Sequence, residues 1–203
     1  MIILKINTNP QNLSNIYLIC SASDEGADVW GGLHNLSDKG IKECQKLKKE
    51  IAFSKNSLIC SSLQKQAQQT AYLLSLTPVI YSDLFNEINF GIYENESKEW
   101  DDMFFIYHKK LSDLEQFSHG DDSESRAMRF ATEIAKLSDS YVGKDIVIFT
   151  HKTLIECLQC LILGKSVDNR ELFEQEIKPC SVSHIVYDNK NHTLDSVKIS
   201  QYV

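Results

Sequence analysis

The residues Ile146-Val147-Ile148-Phe149 form an unbroken apolar run that stops at Thr150-His151 and passes straight into a helical pattern ended by Gly164. A strand buried on both faces reads as such a run, because neither face can be left polar. A second run, Ile16-Tyr17-Leu18-Ile19, stops in the same way at Cys20-Ser21-Ala22-Ser23-Asp24. Strands of this kind confine the chain to a sheet with helices on both sides. Ligands bind such sheets at the carboxyl ends of the strands, where the loops converge. Cys20, Ser21 and His151 are therefore the residues to explain.

The rest of the chain supplies the helices and further strands. Ser37 is placed to cap a helix in which Ile41, Cys44, Leu47 and Ile51 recur at helical spacing. Residues 57–60 form a short strand, Ser61-Ser62 leads into a helix over 63–75, and residues 79–81 form another strand. Ala127, Phe130, Ile134 and Leu137 mark one stripe of a helix over 123–138, and residues 182–187 and 193–200 form a hairpin around Asp188-Asn189-Lys190-Asn191. A short β-like run occupies residues 1–8. The polar, aromatic-rich segment 92–120, with a helix near 97–111, reads as a lid-like insertion over the sheet edge. The expected fold is α/β: three layers, α/β/α, with a largely parallel central sheet, in one domain over residues 1–203.

Charge and cysteine usage exclude several function classes. Lys and Arg number 21 against 28 Asp and Glu, a formal charge of −7. Nucleic acid and anionic membranes are then not expected partners, since both require clustered cations. No apolar stretch approaches a membrane span, and the N-terminal Met1-Ile2-Ile3-Leu4 is too short for a signal-peptide core. These features point to the cytoplasm, where the six cysteines are expected reduced. Cys157 and Cys160 form a lone Cys-x-x-Cys in an apolar helix, which packing explains better than metal binding.

Four blocks, in order, resemble the histidine phosphatase superfamily, the phosphoglycerate mutase-like fold, and in length its alpha-ribazole phosphatase-like branch. Residues 16–24 stand where that family has an apolar strand ending Arg-His-Gly-Glu-Thr. Leu36-Ser37-Asp38-Lys39-Gly40 is similar to its Leu-Thr-x-x-Gly helix start. Residues 61–71 match Ser-Ser-Pro-Leu-x-Arg-Ala-x-Gln-Thr-Ala without a gap, and Val147-Ile148-Phe149-Thr150-His151 resembles Val-Val-x-x-His. Asn86-Glu87-Ile88-Asn89-Phe90-Gly91 resembles the family's Glu-x-x-Phe-Gly loop, and Cys180-Ser181-Val182-Ser183 a late strand.

The resemblance implies a site and shows it altered. Active members use a histidine nucleophile, two arginines and a second histidine around the phosphoryl group, and a carboxylic acid for the leaving group. A phosphoryl group in transfer spreads negative charge over its oxygens, which fixed cations must stabilise. On these positions Cys20 replaces the first arginine, Ser21 the nucleophile and Gln66 the second arginine. Glu87 and His151 are retained as catalytic positions, and Lys152 follows His151 where the family has a small residue.

The leading expectation is a pseudophosphatase, binding a small-molecule ligand (phosphorylated or not) or a protein partner through the cleft, with Cys20, Ser21, Gln66 and Lys152 as its pocket residues, or through the lid. No cofactor and no metal are expected. The runner-up is a phosphatase hydrolysing a small phosphate monoester with altered machinery, Ser21 acting as nucleophile with His151 as base. A third class is thiol or metal chemistry at Cys20, with His151 or Glu87; against it, a cysteine ending a buried strand is commonly just a small apolar side chain.

Overall fold

The structure is a computed structural model, and it describes residues 12–26, 29, 31–90, 122–167 and 177–200, with side chains up to residue 194. The segment expected to form the lid, 92–120, and the β-like run at 1–8 lie outside the described residues. The chain order is β1 (Leu13–Cys20), α1 (Asp38–Glu50), β2 (Leu58–Ser62), α2 (Lys65–Leu73), β3 (Ile80–Ser82), α3 (Ser123–Ser140), β4 (Ile146–Thr150), α4 (Lys152–Ile162), β5 (Val182–Asp188) and β6 (Thr193–Ser200). A single 3₁₀ turn, Asp83–Phe85, follows β3.

Among the described residues six strands make one sheet in the order β3-β2-β4-β1-β5-β6. β3, β2, β4 and β1 run parallel, and β5 and β6 add an antiparallel hairpin beside β1. The expected α/β architecture is what the chain adopts. One face carries Ile16, Leu18, Cys20, Ile146 and Ile148 against Phe130 and Ile134 of α3 and Leu154 and Leu158 of α4. The other carries Tyr17, Ile19, Val147 and Phe149 against Cys44 and Leu47 of α1 and Ala67 and Ala71 of α2. Successive side chains of a strand point to opposite faces, so the unbroken apolar runs are explained by a core on each side.

Several boundaries differ from expectation, and those between β2 and α2 bear on the site. β2 runs on through Ser61 and Ser62, and α2 starts only at Lys65 and ends at Leu73. The two serines are fully buried, and their small side chains fit the pleat next to β4 and β3 even though serine is not a strand former. This shift matters for the site, because it turns Ser62 into a strand-end residue.

Candidate active site at the strand ends

Parallel strands end on one edge, and register determines which ends meet. Cys20 of β1 pairs with Thr150 of β4, and Ser61 of β2 pairs with Phe149 of β4. His151, the first residue beyond β4, is thus flanked by Ser21, the first residue beyond β1, and by Ser62 at the end of β2. Its Nδ1 lies 3.4 Å from Ser21 Oγ and its Nε2 lies 2.9 Å from Ser62 Oγ. The first contact is at the long, weak end of hydrogen-bond geometry; the second is well formed.

The neighbours of Ser62 decide where the imidazole proton sits. Asn86 Oδ1 accepts from the Leu63 N–H at 2.8 Å, which orients the amide, and it lies 3.1 Å from Ser62 Oγ. A carbonyl oxygen can only accept, so the single Ser62 proton goes to Asn86. Ser62 Oγ is then left to accept from Gln64 N–H at 2.9 Å and from His151 Nε2–H. His151 Nδ1 carries no proton and accepts from the Ser21 hydroxyl.

A bare imidazole nitrogen facing a serine hydroxyl has the form of a nucleophile–base pair. Its electrostatics are unfavourable for that work. His151 is 4% exposed, and burial, with the positive charge of Arg126 added, lowers its pKa from 6.5 to about 3. A general base is most effective when its pKa lies near the working pH. Arg126 is itself buried on α3, where its Nη2 donates to the backbone carbonyls of Asp83 and, at 3.3 Å, Asn86. It thereby anchors the loop that carries Asn86 and Glu87.

Glu87 reaches α4 rather than standing free. Its carboxylate accepts from the N–H groups of Thr153 and Leu154, both at 3.1 Å, and from Ile88 N–H at 3.0 Å. His151, the N-cap residue of α4, makes no side-chain capping bond, so Glu87 satisfies the orphan donors of that helix end. Loss of solvation on burial raises the Glu87 pKa, against the opposing pull of those three N–H groups.

The positions that the resemblance assigns to cations hold neutral groups. Cys20 is buried, and its thiol is raised well above the usual value, first by burial and then by Glu87 and Glu156. Gln66 is buried on α2, and its Nε2 donates to the Gly32 carbonyl at 3.0 Å, while its Oε1 is buried without a hydrogen-bond partner. Lys65 is exposed. Lys152, whose side chain is 46% exposed, lies 3.9 Å from Glu156 of the next turn. Among the described residues no group of three or more His, Cys, Asp or Glu is placed to hold a metal ion. Cys157 and Cys160 are both on the buried side of α4, in the core.

The strand-end segment has its own anchors. Ala22 N–H donates to Thr70 Oγ1 at 3.0 Å, and Ser23 N–H and Oγ donate to the Glu43 carboxylate at 2.9 and 2.8 Å. Of the residues expected at the edge, Ser21 and His151 lie side by side, and Ser62, Asn86, Arg126 and Glu43 join them without having been expected there. Arg126 and Glu43 carried a usable signal: each adjoins or interrupts an apolar helical stripe, where a charge must be buried with partners.

Over residues 27–200 the chain matches the histidine phosphatase superfamily (branch 1). The chain belongs to this superfamily. Solved structures similar in fold include Bacillus stearothermophilus YhfR, 20% identical, with 93% of this chain and 98% of that one covered at a TM-score of 0.77. Phosphoserine phosphatase from Entamoeba histolytica, solved in complex with 3-phosphoglyceric acid, is 20% identical at a TM-score of 0.75, covering 93% and 98%. The alpha-ribazole phosphatase from Shigella flexneri is 20% identical at a TM-score of 0.71, covering 93% and 97%. Among curated proteins no sequence matches. At these identities the likeness to solved structures establishes the fold. The family match begins beyond Cys20 and Ser21.

Proposed function

We propose that the chain is a catalytically degenerate histidine phosphatase, a pseudophosphatase, that binds a small molecule or protein partner at the strand-end edge in the cytoplasm. The observation that carries this reading is the chemistry at the three replaced positions. Ser21 has no ring nitrogen to take a phosphoryl group, the Cys20 thiol is buried and held neutral, and the Gln66 amide donates to Gly32. Each lost oxyanion-stabilising donor typically costs a factor of about 100 to 1,000 in rate. The retained Glu87 and His151 have structural partners of their own, on α4 and on Ser62.

The test is turnover of a generic phosphomonoester by the purified chain beside a His151→Ala control. The expected result is no difference between them, and clear His151-dependent turnover overturns the reading. One contact favours a second reading, a phosphatase with altered machinery: Ser21 Oγ faces the unprotonated Nδ1 of His151. On that reading any turnover is abolished in Ser21→Ala. The thiol or metal reading at Cys20 gains no support from a neutral, buried thiol.

A further inference from the structure

Away from the imidazole, two sulfurs meet in the core. Cys44 of α1 and Cys180, just before β5, place their Sγ atoms 3.6 Å apart, and both residues are fully buried. Both are free thiols. A disulfide has its sulfurs about 2.05 Å apart, so the pair stands in contact and needs a modest approach to join. The partners are not equivalent. The contact with Cys180 is the main influence lowering the Cys44 pKa, and the same contact raises that of Cys180. Cys44 is the sulfur that more readily becomes the nucleophilic thiolate.

Both sulfurs sit on segments that hold the strand end. Cys180 N–H donates to the Cys20 carbonyl at 3.2 Å, and Cys20 N–H donates to the Ser181 carbonyl at 3.1 Å. Cys44 lies beside the hydroxyl of Thr70, which receives the Ala22 N–H. Cys180 has φ +58, the left-handed region that residues with a Cβ rarely adopt. The turn that presents its sulfur to α1 is therefore held by its surroundings, with Ser181 N–H bonded to the Lys178 carbonyl at 3.0 Å.

We propose that Cys44 and Cys180 form a peroxide-oxidisable dithiol that closes to an internal disulfide joining α1 to the start of β5. In the first step the Cys44 sulfur attacks one oxygen of a hydroperoxide. The O–O bond breaks, the second oxygen leaves as water or alcohol with the Cys44 proton, and Cys44 becomes a sulfenic acid. In the second step Cys180 sulfur attacks Cys44 sulfur. The S–O bond breaks, and hydroxide leaves as water with the Cys180 proton. Two thiols lose two electrons and the peroxide gains them. Burial selects for a small oxidant: hydrogen peroxide needs a smaller opening of the core than a bulkier alkylating reagent does.

The experiment treats the folded full chain with hydrogen peroxide, unfolds it in an alkylating reagent, and maps the peptides by mass. The expected product is a linked pair of peptides carrying Cys44 and Cys180, lighter by two hydrogens than the two thiol forms and separated again by dithiothreitol. In Cys180→Ala the link cannot form, and dimedone present during unfolding is expected to label Cys44. Recovery of Cys44 and Cys180 as alkylated thiols, while other cysteines oxidise, overturns the proposal. So does a wild-type chain in which Cys44 passes to sulfinic acid without the link. The wild-type map stands by itself if the variant fails to fold.

Discussion

Ser62 fixes the tautomer of His151: its Oγ, already donating to Asn86, lies 2.9 Å from Nε2 and can only accept there. The ring is therefore neutral with Nε2 protonated, and burial with Arg126 keeps it so down to about pH 3. The ring nitrogen shifts of labelled protein at pH 7 are expected to show Nε2 protonated and Nδ1 bare. The opposite tautomer would remove the Ser21 hydroxyl's acceptor.

The same imidazole makes stability depend on pH. In the unfolded chain the ring takes a proton near pH 6.5, whereas the folded ring does so only near 3. Between those values the unfolded state binds more protons, so stability rises with pH and is lost as pH falls. The loss amounts to on the order of 3 kcal/mol between pH 6.5 and 4. Glu87 acts in the opposite sense, because its raised pKa lets the folded state take up a proton first on acidification. A non-titrating His151→Asn variant shares the Glu87 contribution. The urea-derived stability of the wild type minus that of the variant is expected to shrink as pH falls from 7 to 4; a constant difference would contradict a buried neutral ring.

Arg126 couples packing to that titration. Its guanidinium holds the carbonyls of Asp83 and Asn86, and its charge contributes to lowering the His151 pKa. Arg126→Met keeps much of the volume and removes both effects. It is expected to cost about 2–4 kcal/mol in a denaturant titration, since buried carbonyls lose a charged donor. In whatever fraction stays folded, the His151 pKa is expected to rise. An unmoved pKa would show that the charge is not felt at the ring.

These dependences mark where the sequence was legible. Ile146–Phe149 and Ile16–Ile19 announce buried strands because burial on two faces leaves no polar position. Ser37 announces α1 because its hydroxyl has one obvious task, and it accepts from Gly40 N–H at 3.2 Å. The pairing of Ser62 with His151 was not legible, since it depends on β2 running two residues further than its apolar residues suggest. Asn86 was invisible for a related reason: its role comes from a 3₁₀ turn that Arg126 holds from a helix 40 positions away. Long-range anchoring leaves no periodic trace.

Glu87 offers a test between structural and chemical roles. Its two carboxylate oxygens divide the N–H groups of Thr153 and Leu154 between them. In Glu87→Gln one of those oxygens becomes an NH₂ group, which meets an N–H donor it cannot accept from. Loss of a cap together with its favourable charge at a helix N-terminus is expected to cost about 1–2 kcal/mol. The check is the denaturation midpoint at pH 7. A variant as stable as the wild type would free the carboxylate for a role facing the ligand edge.

Gly40 allows the sharpest sign prediction, because two effects oppose each other there. It lies in the first turn of α1, and alanine is favoured over glycine in a helix interior by about 1 kcal/mol. Yet a Cβ at Gly40 would overlap the backbone carbonyl of Ser23. That carbonyl is fixed, since it accepts from both the N–H and the hydroxyl of Ser37 at 3.0 Å. Backbone cannot rotate away as a side chain would, so α1 must shift from the loop and strain the Ser23 bonds to Glu43. Overpacking of this kind typically costs about 1–3 kcal/mol, and here the strain on two hydrogen bonds to Glu43 adds to it. Gly40→Ala is therefore expected to lower stability on balance, measured by urea denaturation, despite its better helix propensity. A stabilised variant would mean that α1 does not press on Ser23, and that the segment from Ser21 to Asp24 is held by something other than this helix.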